Sequence, residues 1–192
     1  MDTFFAIQSR RSIRKFKPEP VTDEYLEKIL LAGTLAPSGK NKQPWQFIVV
    51  RGEKRTEMID QMQKGIDQQE GMGIQTGSAR YTIKSMGQAP VTIFVINPTT
   101  DQPPFDWETL ESNADVVDTQ SIGAAIQNML LAAQALGLGT LWICDIFYAY
   151  DALHAWLGID GQMIAAISLG YPDELPGPRP RKSVDEVTVY IE

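Results

Sequence analysis

One stretch of this chain, Ala114–Leu136, leaves little freedom in how the rest can be arranged. Its Ile122, Ala125, Ile126, Met129, Leu130, Ala133 and Leu136 are apolar over a wide arc of a helix rather than along one stripe. A helix of that kind has to be nearly surrounded by protein, so it belongs at the centre of the fold. Gly137 follows in the position where helices commonly turn left-handed and stop. The 192 residues suffice for one domain, 1–192, built around such a core.

The remaining elements follow from local signals. Asp2 can cap a first helix through about Ser9. Thr22 followed by Asp23 and Glu24 starts a second, in which Leu26, Ile29, Leu30 and Gly33 share a face. Pro37 ends that helix, and Ala36–Trp45 (APSGKNKQPW) reads as a loop. Trp45–Val50, Val91–Asn97, Thr140–Ile143 and Met163–Leu169 read as strands, and Glu53–Lys64 as a helix. Gly65–Ser78, with four glycines, reads as a mobile loop or lid, and Pro98–Glu111 as a second irregular stretch. After the Gly170–Pro172 turn, a proline-rich tail leads to the β-prone Val187–Ile191, a strand suited to pairing with another subunit's sheet edge. The mixture is α+β.

Charge narrows the possible functions. Lys and Arg number 17 against 24 Asp and Glu, a net −7, which argues against a broad nucleic-acid surface. No apolar run approaches the roughly 20 residues needed to span a bilayer. With one cysteine and one histidine the chain has neither an internal disulfide nor a zinc site, and a reducing, cytoplasmic setting is expected. His154, in the helical pattern Ala149–Leu157, reads as a surface or packing residue. Any difficult chemistry then belongs to a cofactor.

Against this acidic background Arg10, Arg11, Ser12 and Arg14 concentrate cations and a hydroxyl in five residues. Arginine's rigid fork of donors suits phosphate. The competing reading is a solvated helix end. If the segment is helical, Arg10 and Arg14 stand one turn apart on one face and Arg11 points elsewhere. Cys144, in an apolar strand, reads as a packing residue.

Three segments in order, RRSIRKF (Arg10–Phe16), APSGKNKQPW (Ala36–Trp45) and GYP…PRPRKSVDEV (Gly170–Val187), resemble the FMN-dependent nitroreductase family. Between them, the helix running into ALGLGTLWIC (Ala135–Cys144) resembles the family's helix and flavin-contacting strand. The resemblance implies a mixed, mostly antiparallel sheet flanked by helices, a long buried central helix, and an intertwined homodimer exchanging its C-terminal strand. It also implies FMN, with its phosphate clamped by Arg10, Ser12, Arg14 and the distant Arg181. Arg11 would reach the ribityl chain or the pyrimidine edge. Pro37, Ser38 and Gly39 would bring backbone close to the flavin bound by the partner subunit. Asn41 and Gln43 would offer amide groups to the ring's polar edge. Trp142, Ile143 and Cys144 would lie along the isoalloxazine, with a backbone N–H near Cys144 facing N5. Lys84 and Lys182 are further cations whose contact with the flavin is left open.

The implied activity is a two-step exchange in which NADH or NADPH reduces the flavin and a small planar acceptor reoxidises it. Nitroaromatics, quinones and activated alkenes are the candidates, and no side chain need act as acid or base. A flavin-storing or sensing protein is the rival reading. Glu70, Arg80 and Tyr81 do not reproduce the lid set of the family's dehalogenating relatives, and the SGKNKQPW loop differs from that of the relatives that break down FMN.

Overall fold

The structure, a computed structural model, describes residues 2–100 and 113–192, the side chains of 113–115 excepted. In chain order the elements are α1 (Thr3–Ser9), α2 (Asp23–Thr34), β1 (Gln46–Arg51), α3 (Lys54–Gly71), α4 (Ala79–Gln88) and β2 (Val91–Asn97). They continue with α5 (Asn113–Ala135), β3 (Gly139–Ile143), α6 (Tyr150–Leu157), β4 (Gln162–Gly170) and α7 (Val184–Val187). The caps expected for the first two helices are present: Asp2 accepts from the Phe5 N–H and Thr22 from the Tyr25 N–H.

The four strands form one antiparallel sheet in the order β1-β2-β4-β3. Strand β2 is buried along its whole length because both its faces are covered. Val91, Ile93 and Val95 face a core built with Ile29 of α2 and Ile122, Ile126 and Met129 of α5. Phe94 and Ile96 face the opposite core, built with Met58, Met62 and Ile66 of α3, Met86 of α4 and Leu153 of α6. Each such fully buried side chain contributes about 1.5–3 kcal/mol relative to exposure. Helix α5 lies against the sheet as its composition requires, and no residue from 121 to 134 is exposed. Gly137 follows it at φ +77°, and the Leu138 N–H returns to the Ala133 carbonyl at 2.9 Å.

Three expectations need correction. Residues 10–14 are not helical, because α1 stops at Ser9 and Arg10 takes an extended conformation. Ser12 instead forms a parallel bridge with Thr140, the Ile13 N–H donating to the Thr140 carbonyl at 2.9 Å. That bridge is the sole parallel component among the described residues. Gly139 permits the approach, since a Cβ there would sit 2.7 Å from Ile13 Cγ1. Secondly, half of the expected lid is helix. Helix α3 runs seven residues past Lys64 to Gly71, with Ile66 fully buried. The short turn after it is tied down by Arg80, which pairs with both Asp67 and Glu70, and by Thr76 donating to Glu70 at 2.6 Å.

Within the single protomer Val187–Ile191 forms no strand, and the expected pairing is one between subunits. Val187 ends the short α7, capped by Ser183 and Glu186, and residues 188–192 carry no assigned element. Thirdly, Cys144 is exposed, just beyond the end of β3. The expected irregular stretch Pro98–Glu111 falls mostly outside the described residues. His154 does pack: its Nε2 lies 2.8 Å from the Gly161 carbonyl and its ring stacks on Tyr150 at 5.5 Å.

Candidate functional site

The cationic segment is extended, so Arg10, Ser12 and Arg14 alternate to one side while Ile13 is buried on the other. The tail then brings distant residues to it. The Lys17 N–H donates to the Tyr171 carbonyl and the Asp173 N–H to the Lys15 carbonyl, each at 2.9 Å. Glu174 accepts from the backbone N–H groups of Arg14 and Lys15. These bonds fix the start of the tail, and Pro176–Arg179 and Arg181 then close a cavity of about 520 Å³ with Arg10, Arg11, Ser12, Arg14, Gln8 and Gln127.

The charges in this cavity are concentrated and of one sign. Arg11 donates to the carbonyls of Gln8 and Arg10 at 2.7 and 2.9 Å, Arg14 to that of Ser12 at 3.4 Å, and Arg181 to that of Pro180 at 3.0 Å. Among the described residues no carboxylate pairs with Arg10, Arg11, Arg14, Arg179 or Arg181. Burial, then the neighbouring charges of Arg181 and Arg11, push the Arg10 guanidinium below an arginine's ordinary value. A compact site with several bidentate donors and no internal counter-charge suits a small multivalent anion.

Arg14 also borders a second cavity, of about 300 Å³, at the end of β3. Trp142, Ile143, Cys144 and Asp145 line it from one side, and Ser78, Tyr81, Thr82 and Ser85 at and near the start of α4 from the other. Trp142 is 39% exposed, whereas Ile143 is buried beneath it. Partial desolvation of its sulfur, then the charge of Asp145, push the Cys144 thiol up despite its exposure, so at neutral pH it is a thiol rather than a reactive thiolate. Asp145, Ser78 and Thr82 escaped the sequence reading. They become significant only when β3 and α4 are placed side by side.

The loop residues Pro37, Ser38, Gly39, Asn41 and Gln43 border neither cavity. They follow α2 and run over the first turns of α5. Gly39 donates to Ser121 Oγ at 3.3 Å, and a Cβ on Gly39 would meet Val117 Cγ1 at 2.4 Å. The close approach this glycine permits within the protomer is therefore to α5. The Lys42 ammonium lies 2.5 Å from the Asp118 carboxylate, which is almost wholly buried and also accepts from Thr99 Oγ1 at 2.9 Å.

Three non-glycine residues here, Lys40, Asn41 and Gln43, have left-handed backbones at φ 52°, 55° and 51°. Such conformations are uncommon outside glycine, and each costs about 1 kcal/mol or more for ordinary residues. The contacts of Lys42, Ser38 and Gly39 hold them in place: the Gln43 N–H, for one, donates to Ser38 Oγ at 3.0 Å. Lys84 on α4 and Lys182, both exposed, border neither cavity.

Comparison with known proteins finds relatives along most of the chain. A protein of Archaeoglobus fulgidus named "Putative NADH dehydrogenase/NAD(P)H nitroreductase" is 33% identical over 176 residues, 88% of this chain and 84% of that protein. A 5,6-dimethylbenzimidazole synthase of Rhodospirillum rubrum is 29% identical over 187 residues, 91% and 82% of the two chains. The crystal structure of a Desulfovibrio desulfuricans protein described as a "putative nitroreductase in complex with FMN" superposes with a TM-score of 0.75. It is 32% identical, with 100% of this chain and 98% of that one covered. The nitroreductase family model matches residues 7–171, from the end of α1 to the turn after β4, and the chain belongs to that family.

Proposed function

We propose that the chain is an FMN-dependent NAD(P)H oxidoreductase acting on nitroaromatic, quinone or related electron-poor acceptors. The observation that carries this reading is the set of arginines gathered from residues 10–14 and 179–181 without a carboxylate partner among the described residues, leading through Arg14 to the cavity at the end of β3. A phosphate monoester bears a charge near −2 at neutral pH, which fits that first cavity. The second offers an aromatic edge, strand backbone and hydroxyls, a setting for a flat heterocycle.

In this reading Arg10, Ser12, Arg14 and Arg181 hold the phosphate, and Arg11 reaches the ribityl chain or pyrimidine edge. Trp142, Ile143 and Cys144 flank the ring, and a backbone N–H near Cys144 orients its reactive edge. FMN, when bound, supplies the hydride acceptance from NADH or NADPH and its onward transfer to the acceptor. Cys144, held as a thiol, takes no covalent part.

The working unit is a homodimer in the cytoplasm. Phe4, Phe5, Leu31 and Leu35, together with Val116 and Val117 at the start of α5, are exposed apolar residues. The left-handed loop lies against Val117, so burial of that surface by a second protomer carries Pro37–Gln43 across to the other protomer's flavin. The tail residues Val189, Tyr190 and Ile191, each more than three-quarters exposed, reach across in the same way.

Anaerobic mixing of the yellow protein with NADH and with NADPH tests the activity. Bleaching of the flavin band by at least one is expected. A flavin reduced by dithionite but by neither nicotinamide overturns the reductase reading in favour of storage or sensing. Deleting Val187–Glu192 should weaken the dimer, as read by sedimentation.

A further inference from the structure

We propose that Asp145 sets the charge preference of the acceptor site, favouring electron-poor aromatics that carry a cation or a hydrogen-bond donor over those that carry a carboxylate. This rests on the reductase reading above and goes beyond it in naming the class of acceptor. Asp145 opens the 3₁₀ turn that follows β3 and borders the second cavity beside Cys144 and Trp142, so an acceptor stacked on the flavin ring in that cavity would lie next to it.

Its carboxylate is held with one oxygen free. Ser78 Oγ donates to Asp145 Oδ2 at 3.1 Å, and Thr82 Oγ1 donates to the same oxygen. Oδ1 accepts from no side chain among the described residues, and no described Lys or Arg pairs with this carboxylate. Ser78 adds a second indication. It stands at the N-cap of α4, where a serine oxygen ordinarily accepts from the helix's own N–H groups, yet it makes no cap bond. Its hydroxyl is turned to Asp145 instead. Two hydroxyls thus orient the carboxylate without neutralising it, which leaves a fixed acceptor and a negative charge on the cavity wall.

A site built around an acceptor rejects ligands that leave it unpaired far more strongly than an apolar pocket rejects a change of size. An ammonium, aniline N–H or phenol O–H on the bound aromatic would meet Oδ1, and a carboxylate would meet repulsion. Arg14 borders the same cavity and favours anions, but it also faces the first cavity, where the phosphate draws on its charge. The two residues therefore push in opposite directions, and removing the Asp145 charge separates them.

The test uses the oxidised, FMN-loaded protein without nicotinamide, so that ligands bind and do not react. Isothermal titration would compare 4-nitrobenzylamine as its ammonium, 4-nitrobenzyl alcohol and 4-nitrobenzoate. The ammonium should bind more tightly than the carboxylate. Asp145→Asn, reloaded with FMN to the wild-type content, should shift the ratio of the two affinities by about tenfold toward the carboxylate, as expected for one charge-assisted contact. An unchanged ratio in the variant, or wild-type protein that prefers the carboxylate, overturns the proposal. Should Asp145→Asn fail to fold, Asp145→Ser and the wild-type order carry the same decision. Failure of NADH and NADPH to bleach the flavin would sink the reductase reading separately, since these titrations need no turnover.

Discussion

Two arginine-centred clusters in this protein use the same residue type to opposite ends. Arg80 sits between Asp67 and Glu70, its charge answered twice over, and ties the end of α3 to the start of α4. Hydrogen bonds from Arg80 hold both carboxyls below their ordinary values and hold the guanidinium above its own. Arg10, by contrast, is crowded by Arg181 and Arg11, and its guanidinium is pushed the other way. One cluster is closed within the chain. The other is electrostatically incomplete, and an incomplete cluster held in place by backbone bonding marks a binding site better than charge density does.

The contrast breaks most readily at its open end. Arg10→Ala should weaken FMN retention by about 100-fold, as for loss of a charge-assisted bidentate contact. Arg181→Ala should act in the same direction, and Lys17→Ala should leave the protein as yellow as the wild type; flavin absorbance after gel filtration reads all three. Equal colour in the three variants would make the open cluster a solvated surface. Next in size is Lys42→Ala, which strips the cation from buried Asp118 and should cost about 1–3 kcal/mol of stability in urea titrations. Because the strained loop loses its anchor, dimer stability should fall with it.

At the closed end, Arg80→Ala should leave flavin retention unchanged and lower the thermal midpoint slightly. Its effect has a pH signature. The Asp67 and Glu70 carboxyls have depressed folded-state values, so the stability they lend is present above the ordinary carboxylate range and fades as pH falls through the depressed values. The midpoints of Arg80→Ala and wild type should therefore differ at pH 7 and converge in acid. A gap that persists well below the carboxylate range would mean that Arg80 acts by packing alone. These groups are solvent-exposed, and the shift should shrink in high salt.

How much of this was legible depended on whether a residue's surroundings were local. The caps at Asp2 and Thr22 are read within four residues, and both hold. Strand β2 was legible as VTIFVIN because a strand covered on both faces is mostly apolar rather than alternating. Residues 10–14 misled because the spacing of Arg10 and Arg14 fits a helix, while the bonds that decide their conformation come from Thr140 and from residues 171–174. Gly65 and Gly71 looked like breakers, yet an interior glycine costs a helix only about 1 kcal/mol, and burial of Ile66 outweighs that. The arginines were visible as residue types. The carboxylate of Asp145 and the hydroxyls that aim it were not, because 63 and 67 positions separate the partners.

The pairing of residues 15–17 with residues 171–173 has a bearing on how the protein matures. Arg10–Arg14 of the anion cavity are synthesised long before Pro176–Arg181, which follow them by more than 160 residues. No nascent chain holds the full set of cations until Arg181 has been made. Cofactor loading is therefore a late event, and a chain cut short after β4 would keep the whole sheet and still lack the closing wall of its anion cavity.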